Sequence, residues 1–529
     1  CQIEYIRCRG ILEDKARQEL MNNHEIMKLI NEIEELFPVD TWVVDDIHVW
    51  PLIRLSLASN LYRYTNNSNI ELAQRKRQYI SKIQRTVFGL VASLKATLLD
   101  KVNNDLWHRH ADAVFLSDSS CRIQLIDKWY DRYCEPFIEE FKKIGWSTIL
   151  YETTGNYEYR VSRSNKSVLI QTQMDIAKIK SILTINRKNI KFNLSEWDGF
   201  VSYCYKKRIE NYVCSVQELL NRVNTINIVS NMFKIRLRIN RPKLAFVECY
   251  YSEQGMAFNL ACKQLGIPSI DIQHGVQGDN HEAYGRWNKI PNDGYELLPS
   301  HFWCWTSSET KAIDKWSNNL TCETHKPLVG SNLWLEKWLS GDSDIVQIYD
   351  SLIGEIVDDN HINILYTLQP GYDPQPWFYH AVNNSPSNWK WFIRLHHNMI
   401  HERERVRIMF NTNCTNNTVC IDAATDLPLL AWLRHIDVHV TQSSSCVIEA
   451  EAFGLRSVIT HINGVSLFEN QINNGTAVIA FDMDDFLKSI CHLINNGEKQ
   501  TINRKSSNID FPDLIDEIMD CSSKKSLSS

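Results

Sequence analysis

The chain has 529 residues, a net charge of −6, 43% hydrophobic and 23% charged residues. That balance excludes a disordered polymer and a protein drawn to nucleic acid by overall charge. Such a length exceeds one ordinary core, so two or three domains are expected. No apolar run approaches the roughly 18 residues of a membrane span, and the charged N-terminus, CQIEYIRCRGILEDKARQEL, has no signal-peptide core. The missing initiator Met makes a start inside a longer chain the expectation.

Residues 1–40 read as polar and helical, and VDTWVVDDIHVWPLIRLSLASNLY (39–62) begins strand-like and turns helical past Pro51. Residues 66–104 read as a basic amphipathic helical region. Its Arg75-Lys76-Arg77, like Lys206-Lys207-Arg208 further on, is either a solvated helix face or a patch for anionic lipid or an anionic acceptor. AVFLSDSS (113–120) reads as a strand, KWYDRYCEPFIEEFKKIG (128–145) as a helical stretch and WSTILYE (146–152) as the next strand. That rhythm belongs to a parallel α/β layer. From about 157 to 240 the pattern is mostly helical and reads as an insertion.

Residues 243–275, KLAFVECYYSEQGMAFNLACKQLGIPSIDIQHG, form a strand–helix–strand pattern. LAFVECYY has the composition of a buried parallel strand, and GMAFNLACKQLG carries helical spacing up to Gly266, a C-cap. SIDI is a second strand that breaks at Gln273-His274-Gly275. Ligands of open α/β sheets bind outside the carboxyl ends of strands. An imidazole placed there suits a general base near neutral pH, so His274 is a candidate catalytic residue, with Asp271 and Glu253 as alternative carboxylate bases. Asp271 and Gln273 share a strand face, whereas His274 lies past the strand end. Asp118 and Arg122, after the 113–117 strand, are placed to border the same cleft. The long loop GVQGDNHEAYGRWNKIPNDGYELLPS offers His281, Glu282 and Tyr284 for contact with an acceptor.

HFWCW (301–305) and KPLVGS (326–331) read as further strands, and INILYTLQPG (362–371) opens a second α/β series. Three motifs of that series fall at strand ends. YTLQPG presents Thr367 and Gln369 to phosphate oxygens. FIRLHHN presents Arg394, His396 and His397, suited to phosphate or carboxylate. IDVHVTQSSSCVIEAEAFG runs from a strand into Ser443-Ser444-Ser445 and a helix carrying Glu449, which can accept from a sugar hydroxyl. The serine run as a plain N-cap and Arg394 as a structural ion pair are the alternatives. Fifteen scattered cysteines without metal spacing fit a reducing cytoplasm. No phosphate loop, GxGxxG, GxSxG or HExxH occurs and no acidic pair suits a metal-bound sugar nucleotide, so metal-independent transfer without a cofactor is expected.

IDIQHG after CYYSEQGMAFNLACKQLGIP, LVGS near the domain junction, IRLHHN and SSSCVIEAEAFG together resemble bacterial surface-polysaccharide glycosyltransferases of the GT-B fold. IRLHHN and the serine segment are similar to the HP and Ser-Ser motifs of capsule enzymes, including polysialyltransferases and Kdo transferases using CMP-activated sugars. Asn398 stands where that pattern has proline. The resemblance implies an α/β architecture of two Rossmann-like domains facing across a cleft. They would span 106–335 (acceptor side, with the helical insertion at 157–240) and 336–500 (nucleotide-sugar side). A mostly helical region at 1–105 and a frayed tail at 501–529 would flank them. It further implies that His274 or Asp271 is catalytic and that Arg394, His396, Ser443, Ser444, Ser445 and Glu449 hold the nucleotide. The expected partners are a nucleotide-sugar donor, CMP-linked among the options, and a glycan or lipid-linked glycan acceptor. The expected place is the cytoplasm, with peripheral contact at the inner membrane and no nucleic acid. A teichoic-acid-type polyol-phosphate transferase, a nucleotide-sugar 2-epimerase and a non-enzymatic assembly scaffold are the rival readings.

Overall fold

The computed structural model describes residues 23–66, 94, 98, 105–154, 162–183, 191–318, 320, 324–341, 343–358, 360–415, 419–495 and 510–526. The expected basic helix at 66–104, with Arg75-Lys76-Arg77, therefore lies almost wholly outside the described residues. Lys207 of the second basic cluster is engaged by Glu32 at 2.8 Å.

Two parallel sheets dominate. In the first, seven strands run in the order Lys326–Val329, His301–Cys304, Ser269–Ile272, Leu244–Val247, Ala113–Asp118, Thr148–Thr153 and Val168–Leu169. Every neighbouring pair is parallel. The second has six, in the order Val419–Cys420, Trp389–Arg394, Ile362–Thr367, Val438–Thr441, Arg456–Ile459 and Ala477–Ile479, again all parallel. Helices cover both faces, which is why LAFV, SIDI and HFWC are buried at every position instead of alternating. These are the two parallel α/β sheets expected.

Each sheet reverses its winding once. In the first, the chain leaves Ala113–Asp118 toward one edge and resumes on the other side with Leu244–Val247, in register Leu116↔Val247. In the second, Ile362–Thr367 and Val438–Thr441 adjoin in the same way, in register Thr367↔Thr441. Connections diverging from neighbouring strands leave a crevice at their carboxyl ends. The fold thus has two such crevices, one per sheet.

The unit at 244–272 forms as its sequence dictates. Ser252 caps the helix Glu253–Leu265 by accepting from the Gly255 N–H at 3.0 Å, and Gly266 ends it in the left-handed region. Gly255 has no room for a side chain, since an added Cβ would fall on the Cys249 carbonyl. That close approach tucks the helix start under the strand end.

Three regions depart from expectation. The stretch expected to be helical from 128 begins as a hairpin, Arg122–Leu125 paired with Lys128–Asp131, before the helix Cys134–Lys143. The hairpin buries Leu125 and Tyr130 in one cluster with Trp338, Val346 and Tyr349 of the second half. The region from 157 to 240 is mostly helical but also supplies two short strands. Val168–Leu169 extends the first sheet, and Phe192–Asn193 pairs with Val43–Val44. Its long helix Val216–Asn240, opened by a Ser215–Glu218 capping box, crosses over to Leu244–Val247 and belongs to the sheet's covering layer. Finally, Phe511–Ser526 is a helix and no frayed tail: Phe511 packs on Phe141 and Trp303 of the first half at ring distances of 5.0 and 5.8 Å.

The N-terminal helices Asn23–Leu36 and Trp50–Asn66 join the core of the first sheet. Arg54, fully buried, pairs with Glu34, lies 4.1 Å over Trp287 and donates to the carbonyls of Glu282, Gly285 and Arg286. This one guanidinium fixes the long loop after His274, which buries Tyr284, Trp287 and Tyr295. Breaking such a buried pair costs about 3–5 kcal/mol. No helix among the described residues is long and apolar enough to cross a membrane.

Candidate active site

A chamber of about 370 Å³ opens at the crevice of the first sheet. Asp118, Cys121, Glu248 and His274 line it from the first half, together with Arg132 and Tyr133. His396, His397 and Ser445 line it from the second half. Glu248 directly follows Leu244–Val247, at the reversal point itself. Burial pushes its carboxyl above the usual carboxylate range, against the opposing pull of His274. The Arg132 Nε is buried with no hydrogen-bond partner in the chain, and its guanidinium lies 4.8 Å from the Tyr133 ring. A buried N–H left without an acceptor costs free energy unless a ligand completes it. Asp118 is committed locally, accepting from the Ser120 N–H at 2.9 Å and the Thr153 hydroxyl at 2.7 Å.

His274 stands between this chamber and a second one of about 290 Å³. Its Nδ1 lies 3.2 Å from the Ile272 carbonyl, which can only accept, so the proton sits on Nδ1. The free lone pair on Nε2 then accepts from the Tyr251 hydroxyl at 2.9 Å. The Tyr251 ring stacks on the imidazole at 5.6 Å, and the Tyr133 hydroxyl donates to the His274 carbonyl at 2.9 Å. The second chamber is lined by Tyr251, His281, Glu282 and Tyr284, by Ile26, Met27 and Tyr62 of the N-terminal helices, and by Ser443 and Ser445. Its apolar floor contrasts with the charged walls of the first chamber. Burial lowers the pKa of His281, whose Nδ1 accepts from the Ala283 N–H at 3.2 Å.

On the second sheet the serine run behaves unevenly. Ser443 and Ser445 face the cavities, whereas Ser444 is buried and its hydroxyl donates to Cys446 Sγ at 3.0 Å. The helix beyond, Cys446–Ala452, is only 7 residues long. Glu449 on it is pushed up to about 7 by burial, opposed by Arg132 and Arg394, and its Oε2 has no partner in the chain. His396 is held at about 3 by burial and by nearby His397, Arg132 and Arg394, so it works as a neutral ring. Its Nδ1 accepts from the Asn398 N–H at 3.2 Å, which puts the remaining N–H on Nε2 as a donor.

Several expected residues are placed elsewhere. Arg394 turns from the cavities and donates to the Ala424 and Leu427 carbonyls, both at 2.6 Å, with burial lowering its pKa to about 10. Thr367 is buried against His439 at 2.9 Å, and Gln369 bridges to Tyr372 outside both chambers. Asp271 is fully buried, accepting from the Tyr250 N–H and the Tyr284 hydroxyl at 3.0 and 2.9 Å. Gln273 clamps the Trp305 N–H and the Gly275 carbonyl. Arg122 sits in a buried network with Glu135 and Glu152 at 2.8 and 2.9 Å. Glu253 is exposed on its helix and 3.3 Å from Arg222. Glu248, Arg132 and Tyr251 are the residues that sequence reading missed. An acid directly after a fully buried strand was the available signal for Glu248. Nothing local marks Arg132, which the hairpin carries into the cleft.

Among the described residues the cysteines are free thiols, and no group of three or more His, Cys, Asp or Glu is arranged to hold a metal ion. No protein-family model matches the chain, and no curated protein matches it. Solved structures that superimpose include UDP-GlcNAc 2-epimerase from Neisseria meningitidis bound to UDP-GlcNAc. That chain is 13% identical, with a TM-score of 0.44 over 79% of this chain and 100% of its own. The Methanocaldococcus jannaschii UDP-GlcNAc 2-epimerase is 12% identical, with a TM-score of 0.43 over 73% and 93%. The N-terminal domain of Candida albicans trehalose-6-phosphate phosphatase is also 12% identical, with a TM-score of 0.38 over 79% and 95%. At such identities and scores these likenesses carry no weight for what this chain does.

Proposed function

We propose that the chain is an enzyme acting on a nucleotide-activated sugar seated in the cleft between its two sheets. The observation that carries this reading is the meeting, in one 370 Å³ chamber, of a high-pKa carboxyl and an imidazole with unmatched donors. Arg132, the Nε2–H of His396 and the Ser445 hydroxyl suit phosphate oxygens. Glu248 lines that chamber as the group suited to proton transfer at the sugar. Glu449, neutral or charged near pH 7, would meet a hydroxyl of the nucleotide or sugar.

The finer reading is glycosyl transfer, and the second chamber favours it, because a separate cavity on the far side of His274 leaves room for an acceptor. The second reading is 2-epimerisation of the sugar nucleotide, the activity named for the Neisseria and Methanocaldococcus proteins. It is favoured by Glu248, a carboxyl with raised pKa that lines the chamber and suits acid and base roles without any acceptor. Cytoplasmic placement fits both readings, while contact with a membrane is a proposal that awaits the region at 66–104.

One experiment separates them. UDP-, CMP- and GDP-linked sugars are incubated with and without a glycan acceptor and followed by ¹H and ³¹P NMR. Free nucleotide released in step with a new glycosidic proton supports transfer, and a new sugar-nucleotide epimer without acceptor supports epimerisation. No change with any donor, and no nucleotide-dependent thermal stabilisation, sinks the enzyme reading.

A further inference from the structure

Resting on the transfer reading, we infer that Tyr251 is a proton relay that connects the lone pair of His274 to an acceptor hydroxyl in the 290 Å³ chamber. His274 lines both chambers, but its basic nitrogen is not open to either. Nδ1 is spent on the Ile272 carbonyl at 3.2 Å, and Nε2 is capped by the Tyr251 hydroxyl at 2.9 Å. Tyr251 lines only the chamber beside the N-terminal helices, so that is where the base reaches a ligand.

The phenol is built for relay and not for ionisation. Burial, with Cys249, Glu248, Glu282 and Asp271 around it, keeps the Tyr251 hydroxyl protonated. A protonated phenol donates once and accepts on its remaining lone pairs. Its ring cannot swing away, held between His274 at 5.6 Å, Tyr250 at 5.6 Å and Tyr284 at 6.0 Å. Asp271 fixes that packing by accepting from the Tyr284 hydroxyl and the Tyr250 N–H. Ile26 and Met27 supply apolar surface for the carbon face of a sugar, and Glu282 supplies an acceptor for its other hydroxyls.

In the reacting complex the acceptor oxygen attacks the anomeric carbon. The new carbon–oxygen bond forms as the bond from the anomeric carbon to phosphate breaks, and the electron pair leaves on the nucleotide phosphate. The acceptor proton passes to the Tyr251 oxygen while the phenol proton passes to His274 Nε2. Tyr251 ends neutral and His274 ends as imidazolium.

Tyr251→Phe tests this in two arms. The first needs no substrate: ¹⁵N NMR of the His274 ring in the wild type should report Nε2 as a hydrogen-bonded acceptor, and in the variant that resonance should move downfield. The second uses the donor that turns over in the panel above. The variant should lose on the order of 100-fold in kcat, keep its affinity for UDP, CMP or GDP, and change a two-proton inventory in mixed H₂O/D₂O into a one-proton one. An unchanged Nε2 resonance overturns the contact itself. A shifted resonance with unchanged kcat overturns the relay and leaves Tyr251 a packing residue. If the wild type turns over no donor, the transfer reading fails and the relay with it, an outcome told apart by the substrate-free arm.

Discussion

The crevices of the two sheets have the same topology and opposite chemistry. At the first, the residues past the strand ends are a carboxyl and an imidazole, Glu248 and His274, on a base of fully buried strands. At the second they are hydroxyls and a neutral ring, Ser443, Ser445 and His396. The cation between them, Arg132, is delivered from the first half by a hairpin that packs on the second. The difference teaches that the fold supplies two equivalent docking crevices and the side chains divide the labour. One crevice is equipped to move protons, the other to hold an anion without adding charge.

The largest effect should come from the proton-moving side. Glu248→Gln keeps the shape of the chamber and should lower turnover by about 10²- to 10⁴-fold, measured by product formation with the active donor. Arg132→Ala removes the guanidinium whose Nε lacks a partner and should weaken nucleotide binding by about 10- to 100-fold in calorimetry, the value of a charge-assisted contact. Equal loss of turnover and binding in both variants would break the division.

A pH effect comes next. Glu449 is carried up to about 7 from an ordinary carboxyl value of 4.5 by burial. Between those values the unfolded chain releases a proton that the folded chain keeps, so this group lowers stability as pH rises through the window and no further above about 7. Glu449→Gln should therefore melt increasingly above the wild type as pH goes from 4.5 to 7. A constant difference in Tm across that range would show that the carboxyl titrates normally.

Smaller still, Ser445→Ala should cost one hydroxyl contact, about 0.5–1.5 kcal/mol or a few-fold in nucleotide affinity. Glu253→Gln should change neither turnover nor affinity, because that carboxylate lies on the surface beside Arg222. A strong loss of turnover there would return Glu253 to the cleft and move the catalytic side.

Much of this frame was legible in the sequence. LAFV, SIDI, HFWC, INILYT and WKWFIR are mostly apolar or aromatic because parallel strands are covered on both faces, and they stand where the sequence places them. His274 and Ser445 were legible because each follows such a run. Strand order is not written in any local pattern, so the crevice at Glu248 could not be distinguished from the other strand ends. Asp271 misled for a physical reason: alternation places it on a face but does not say that the face is closed by Tyr250 and Tyr284. Arg394 misled likewise, since its partners are main-chain carbonyls 30 and 33 residues away. The hairpin at 122–131 is hidden by its aromatic content, so the sequence points to Arg122 at the cleft and leaves Arg132 unmarked.

The division of labour is tested most directly by isothermal calorimetry of Glu248→Gln against UDP, CMP and GDP. The variant should bind the nucleotide preferred by the wild type with a Kd within about two-fold, although it no longer turns over the sugar-linked form. A Kd that weakens in proportion to the lost turnover would contradict the account, because Glu248 would then be part of the anchor and not of the chemistry.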